Sequence, residues 1–252
     1  MSRSIDLNAD IGEHDGKDYP RDTAILDVVS SANIACGKHA GSLEVMRRTV
    51  ALAYERGVSI GAHPGYPDRE GFGRRELDLP PDEIVDSFHK QIDNMIACCE
   101  AEGARLRYVK PHGALYNRAA KDEKLASLLA ACVWTVDKSL VMLALAGGAL
   151  ERASRERGLV TAGEAFIDRG YLADGTLVPR DQPGAIIENP QLVAKRAVDL
   201  ANGMVTSIEG TRISIDARSL CVHGDGDRAL ETVKIARSAL ESPGFTIRPF
   251  AP

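Results

Sequence analysis

With 252 residues, 44% hydrophobic and 27% charged, the chain has the composition of a globular protein large enough for a substantial core. A formal net charge of −5 excludes the basic footprint expected of a nucleic-acid or anionic-membrane binder. Five cysteines without CxxC spacing, no secretory leader before Ile5 and no apolar run of about 18 residues predict a reduced, cytoplasmic protein built as one domain over residues 1–252.

Ile5 and Leu7 alternate with polar neighbours and predict a first strand running into Asp10 and Glu13. A helix over 22–30 follows, then a small-residue strand over 31–35 that delivers Cys36 to Gly41. Ser42 is placed to cap a helix whose Leu43, Met46, Val50 and Ala53 recur at helical spacing, and Gly57 stops it. The third strand, 58–62, opens into IGAHPGYPDREGFGRR (60–75), where Gly61, Gly65, Gly71 and Gly73 alternate with Pro64 and Pro67 around His63. Glycines let a main chain adopt angles closed to other residues and approach a ligand closely, which gives such a loop a functional reading.

After Pro80-Pro81 a long helix carries Ile84, Val85, Phe88, Ile92, Met95, Ile96 and Cys99 as one stripe, with His89 off it. The fourth strand, 106–110, runs into PHGALYN, and the next helix turns Leu125, Leu128, Leu129, Cys132 and Val133 to one face. Residues 140–145 are wholly apolar, as suits a strand covered on both sides. A helix over 149–157 leads to a sixth strand, 159–163, that ends at Glu164. The stretch 165–188 is too rich in Gly, Pro and Asp for regular structure and is a candidate lid. Asn189 and Pro190 start another helix. Residues 219–222 form the last clear strand, delivering His223, Gly224 and Asp225 ahead of a helix with Ala229, Leu230, Val233, Ala236 and Leu240; 245–250 is an edge-strand candidate flanked by proline.

Alternating strands and helices imply a parallel sheet with helical cover. An open sheet gathers ligands at one switch point, whereas a closed barrel brings every strand end to one mouth. Asp10, His39, His63, His112, Glu164 and His223 each sit one to four residues past an expected strand end, so a barrel would bring them together. A single histidine after a strand is more often a structural hydrogen-bonder, but four of six histidines at equivalent places favour a shared site.

The motifs DLNADIGE, SANIACGKHAG, IGAHPGYPDREGFGRR, VKPHGALYN, GEAFIDRGYLADGTLVPRDQPGAII and CVHGD, in this order over Asp6 to Asp225, resemble the LamB/YcsF family of 5-oxoprolinase A subunits. The resemblance implies a distorted seven-stranded (β/α) barrel similar to glycoside hydrolase and deacetylase barrels. It also implies ATP-dependent opening of 5-oxoproline to L-glutamate together with two partner subunits, B and C. The chain departs from the family pattern after the first two strands, where it reads GEHDGKDYPRD and CGKHAGSL, so that His14 and Lys38 are unusual.

Chemically, a five-membered lactam is a stable amide, and its hydrolysis needs a carbonyl activated by phosphorylation or a metal with its bound water. The sequence contains no GxxxxGK[ST] phosphate loop, so an ATP site would be of another kind or lie partly in a partner. It has no HExxH either; dispersed Asp10, His39, His63, His112 and His223 form the alternative, a divalent metal site of a free-standing deacylase, and no metal ligand is assigned. A third reading is a non-catalytic subunit that binds substrate or partners. Lys110, restricted by Pro111 and expected to face inward among Asp10 and Glu164, is read with Arg169 as an anion-binding group. Asp10, Glu164 and Asp168 are candidate acid/base or lysine-orienting groups, and His63, His112 and His223 candidate proton carriers. Asn8, His39 and Tyr116 are expected to contact substrate.

Overall fold

The computed structural model describes residues 3–17, 19–223 and 228–251; Gly224 and Asp225 of the last motif fall outside them. In chain order its strands are β1 (Ser4–Ile11), β2 (Ser31–Ala35), β3 (Ser59–His63), β4 (Tyr108–Val109), β5 (Val141–Leu145), β6 (Thr161–Phe166), β7 (Met204–Thr206), β8 (Arg212–Ser214), β9 (Ser219–Val222) and β10 (Thr246–Ile247). The helices are α1 (Tyr19–Leu26), α2 (Leu43–Glu55), α3 (Pro81–Ala101), α4 (Gly113–Ala119), α5 (Glu123–Val136), α6 (Ala149–Glu156), α7 (Pro190–Ala201) and α8 (Ala229–Glu241). Strands β1 to β6 pair in parallel in sequence order, β6 pairs with β9, and β9 returns to β1 through the Asp6–Ser219 to Ala9–Val222 register. The result is a closed seven-stranded parallel barrel surrounded by helices. β10 adds to β1 only at Ser4 and Ile5, a shorter element than the 245–250 expectation, while β7 and β8 form a separate antiparallel hairpin.

Local signals place the helices. Ser42 accepts a hydrogen bond from the Val45 amide at 3.2 Å and caps α2, and Gly57 supplies the left-handed turn after it at φ +65°. Met46, Val50 and Ala53 are buried, but Leu43, expected on the same stripe, lies in the first turn and is 60% exposed. The stripe of α3 holds, with Ile84, Phe88, Ile92, Met95 and Cys99 all buried. Among the described residues no helix is long and apolar enough to cross a membrane.

The outer faces of the strands pack on the helices through Leu7, Ala9, Ile11, Ile34, Ile60, Val109 and Met142. The inner faces differ. At the floor, Tyr108, Leu143, Ala162 and Ala251 make a small apolar plug; higher up, Asp6, Asn8, Asp10, Ser31, Asn33, Lys110, Glu164 and Ser219 are all buried. Because residues i and i+2 share a strand face, Asp6, Asn8 and Asp10 of β1 all point into the barrel. Gly61 is required by the plug: a Cβ there would lie 2.1 Å from the Tyr108 ring.

Several boundaries differ from the sequence expectation. Asp10 and Glu164 lie inside β1 and β6 rather than past them, since both strands run further than their apolar residues suggest. Residues 165–188 are less irregular than expected. β6 continues through Phe166, and the bridges Arg169–Ile186 and Tyr171–Leu177 fold the remainder into a strap.

Candidate active site

The upper inside of the barrel is organised by Lys110. Its ammonium lies 2.8 Å from Asp10 Oδ1, 3.0 Å from Glu164 Oε1 and 3.2 Å from Cys221 Sγ. Burial opposes its charge, but Asp10, Cys221 and Glu164 outweigh burial and hold the lysine well above its ordinary value. Asp10 shows the complementary balance: burial pushes its carboxyl up, Lys110 and His63 pull harder, and it stays far below the usual carboxylate range. The inward-facing lysine among Asp10 and Glu164 is as expected. The anion-binding role is not: an ammonium has three donors, and all three are directed at protein groups. Lys110 therefore fixes the charge of Asp10 and the orientation of both carboxylates.

Asn33 donates to Asn8 Oδ1 at 2.6 Å and Asp10 Oδ1 at 2.7 Å, and itself accepts from the Tyr108 hydroxyl at 2.7 Å. Asn8 donates to Glu164 Oε1 at 3.0 Å and to Ser219 Oγ at 2.6 Å. Asn8 is thus fully committed beneath the cavity, with no exposed surface, and does not line the cavity as a substrate contact would.

The glycine-rich loop after β3 presses on a histidine cluster. His39 and His112 stack with centroids 3.7 Å apart and planes 4° off parallel. A Cβ on Gly65 would meet His39 Nδ1 at 3.0 Å, and one on Gly73, at φ +64°, would lie 2.8 Å from atoms of both residues. The loop is glycine-rich because its backbone touches imidazoles. His39 Nε2 donates to Glu13 Oε1 across 3.2 Å and, fully buried, His39 does not line the cavity as a substrate contact would; it supports His112 instead. Burial lowers His39, and burial with the neighbouring His39 and His63 holds His112 well below its ordinary value, so both rings are neutral.

His63 Nδ1 is 2.8 Å from the Lys110 carbonyl and His112 Nε2 is 2.8 Å from the Phe72 carbonyl. Phe72 has φ +54°, the only non-glycine among the described residues with positive φ, a conformation that costs about 1–3 kcal/mol and here aims that carbonyl at His112. The opposite nitrogens, His63 Nε2 and His112 Nδ1, face each other at 3.0 Å. Asp10 Oδ2 lies 3.5 Å from the first and Glu13 Oε1 3.3 Å from the second. These four side chains are the set whose geometry suits a cation. Glu13 is not among the site residues expected from the sequence; it stands two residues past β1 in a stretch without periodicity, and only its contact with His39 and His112 reveals it.

Across the barrel, Asp168 accepts from the His223 amide at 3.0 Å and approaches His223 Nδ1 at 2.9 Å. Burial pushes Asp168 up, but His223 and the backbone amide outweigh it and hold the carboxylate low. An ionised Asp168 on Nδ1 fixes the tautomer that leaves Nε2 as acceptor. The His223 ring stacks on Phe166, centroids 5.4 Å apart.

The innermost cavity is lined by Asp10, His63, Lys110, His112, Tyr116 and His223, with Arg74, Arg169 and Arg180 at its rim, and has a volume of about 30 Å³. That is room for only a few waters. Two larger cavities of about 460 and 700 Å³ share the three arginines. Glu164 lies beneath the cavity wall and Asp168 lines one of the larger spaces, so the expected residues form two storeys of one site. Arg169 is at the rim but spends Nε and Nη2 on the Ala185 and Val178 carbonyls, which makes it the pin of the strap as well as a cationic wall. Burial lowers it to about 10. The Tyr116 hydroxyl and Glu164 Oε2 are both buried without a hydrogen-bond partner, a condition that costs free energy unless a bound group supplies the partner.

The LamB/YcsF family model matches residues 5–252. A lactam utilization protein from Thermus thermophilus is 42% identical, covers 98% of this chain and 100% of its own, and superimposes with a TM-score of 0.91. A putative cellobiose-phosphate cleavage protein from Enterococcus faecalis has a TM-score of 0.55 at 14% identity, covering 98% of this chain and 97% of its own. The peptidoglycan deacetylase PdaC from Bacillus subtilis has a TM-score of 0.51 at 12% identity, covering 98% and 87%. The last two share the barrel fold alone.

Proposed function

Since the chain belongs to the LamB/YcsF family, we propose that it is the A-type subunit of an ATP-dependent 5-oxoprolinase. It opens the lactam of 5-oxo-L-proline to L-glutamate, with ADP and phosphate, alongside partner subunits B and C in the cytoplasm. The observation that carries this reading is the full-length, 42% identity to a lactam utilization protein.

The site's chemistry supports it. A lactam bearing a carboxylate suits a mouth walled by Arg74, Arg169 and Arg180. Transfer of a phosphoryl group from ATP to the lactam oxygen activates the carbonyl; water then adds to its carbon and sheds a proton to His223 Nε2, and the ring nitrogen leaves as an amine. A second water releases phosphate from the resulting acyl phosphate. Asp168 stabilises the imidazolium that forms. Lys110 keeps Asp10 ionised and holds both Asp10 and Glu164 in place, so no reorganisation is needed as charge develops. The innermost cavity is narrow and lined by Leu177 and Arg180 of the strap; movement of the strap, with docking of a partner as trigger, widens it for 5-oxoproline.

The test is glutamate release from 5-oxo-L-proline with ATP and both partners, each omitted in turn. Steady release is expected only from the complete mixture. Steady release by the purified chain alone would replace the complex with a free-standing hydrolase, and none under any condition would reduce the chain to a binding subunit.

A further inference from the structure

The side chains of His63, His112, Asp10 and Glu13 turn ligand-type atoms toward one point. Each imidazole has one nitrogen 2.8 Å from a backbone carbonyl, which only accepts, so that nitrogen carries the ring proton. The remaining nitrogens, His63 Nε2 and His112 Nδ1, are aimed at each other across 3.0 Å. Two carboxylate oxygens close the group, Asp10 Oδ2 at 3.5 Å and Glu13 Oε1 at 3.3 Å. Four ligand-type atoms converge, and the neighbouring ring nitrogen, His39 Nε2, is 3.2 Å from Glu13 Oε1 at their edge. Asp10 Oδ1 is already taken by Lys110 and Asn33, which leaves Oδ2 free for this side.

We infer that this cluster is a binding site for a first-row divalent metal ion, with His63 Nε2, His112 Nδ1, Asp10 Oδ2 and Glu13 Oε1 as its ligands. The spacing is that of a coordination sphere. Ligands at about 2.0–2.1 Å from a tetrahedral ion stand about 3.4 Å from one another, and the three contacts above are 3.0, 3.3 and 3.5 Å. All four atoms lie within 4.8 Å of one another. Two imidazole nitrogens with two carboxylates suit zinc, cobalt, manganese or iron rather than calcium or magnesium, which favour all-oxygen sets. Backbone carbonyls on the far nitrogens are the outer support that fixes ligand tautomers in metal sites, and the strained Phe72 supplies one of them. An ion here would sit against the wall of the innermost cavity, where it would act as a Lewis acid toward a carbonyl. This inference does not depend on the substrate, on ATP or on partner subunits.

The test is titration of the chelator-stripped chain with Co2+, followed by its visible d–d absorption and by melting temperature. One saturable equivalent per chain and a rise in melting temperature are expected. Both signals should vanish in the His63→Ala/His112→Ala double variant, while Glu13→Gln should weaken binding by ~10-fold or more. Far-UV circular dichroism on every variant establishes that it is folded, and Glu13→Gln remains informative if the double variant is not. Absence of saturable binding by the wild-type chain would overturn the assignment and leave a shared proton between the two rings. Binding of equal strength in wild type and all folded variants would overturn it by placing the ion elsewhere. Neither result bears on glutamate release by the complex.

Discussion

Asp6 and Asp10 stand four residues apart on one face of β1, both buried, yet they carry charge on different terms. Asp6 accepts from Ser30 and Ser31 at 2.6 Å each and from Ser219. Burial dominates there, hydroxyls compensate only in part, and its carboxyl is pushed up to about 6. Asp10 has the Lys110 ammonium and is held well below the usual range. Asp6, at the lower end of β1, therefore becomes neutral as pH falls below about 6, whereas Asp10 near the mouth keeps its charge. What the facing strands offer, a hydroxyl or an ammonium, decides the state of a buried carboxylate more than depth does.

Removing the cation from the mouth should have the largest effect. Lys110→Met leaves Asp10 as a buried charge without its partner, at a cost of about 3–5 kcal/mol, and turnover of the surviving folded protein in the reconstituted complex should fall by ~100-fold or more. Melting temperature and glutamate release on one preparation measure both; unchanged turnover would remove Lys110 from the catalytic machinery. At the lower end of β1, Asp6→Asn sharpens the comparison. The folded-state value of Asp6 lies above its unfolded value of 3.8, so its ionisation destabilises the fold above about pH 6, and this is relieved as pH falls toward 4. A shift from 3.8 to about 6 corresponds to at most about 3 kcal/mol. The variant's advantage in melting temperature at pH 7.5 should shrink steadily between pH 6 and pH 4; a constant offset across that range would show that Asp6 does not titrate there. The smallest effect is expected from Gly61→Ala, which drives a methyl into the Tyr108 ring and should cost about 1–3 kcal/mol, visible as a lower melting temperature. A melting curve indistinguishable from wild type would mean that the plug yields freely.

Much of this frame is legible in the sequence because a parallel barrel repeats one signal: an apolar strand, then a polar residue at its C-terminal end. Asp10, His63, Lys110, His112, Glu164 and His223 all carry that signal. Residues recognised only through register do not. Asn33 matters because β2 sets it opposite Asp10, and nothing local in Ser31–Ala35 announces that neighbour. Arg180 reaches the mouth through the fold of the strap, and Glu13 through loop contacts. α4 gives no helical signal because GALYNRA is seven residues long and starts on a glycine, too short for a hydrophobic period, and the β7–β8 hairpin has strands of three residues each.

The hydrogen bonds from Asp6 through Ser219 and Asn8 to Glu164, and from Asn8 through Asn33 to Asp10, are continuous across four strands. Every member is both supported and supporting, so replacing one strands its neighbours in the low-dielectric interior, whereas replacing several together need not. Effects of substitution along the chain are expected to depart strongly from additivity. Over evolutionary time the lumen of such a barrel changes in concerted jumps, while the helical coat, where Leu43 or Trp134 meets solvent, drifts one residue at a time.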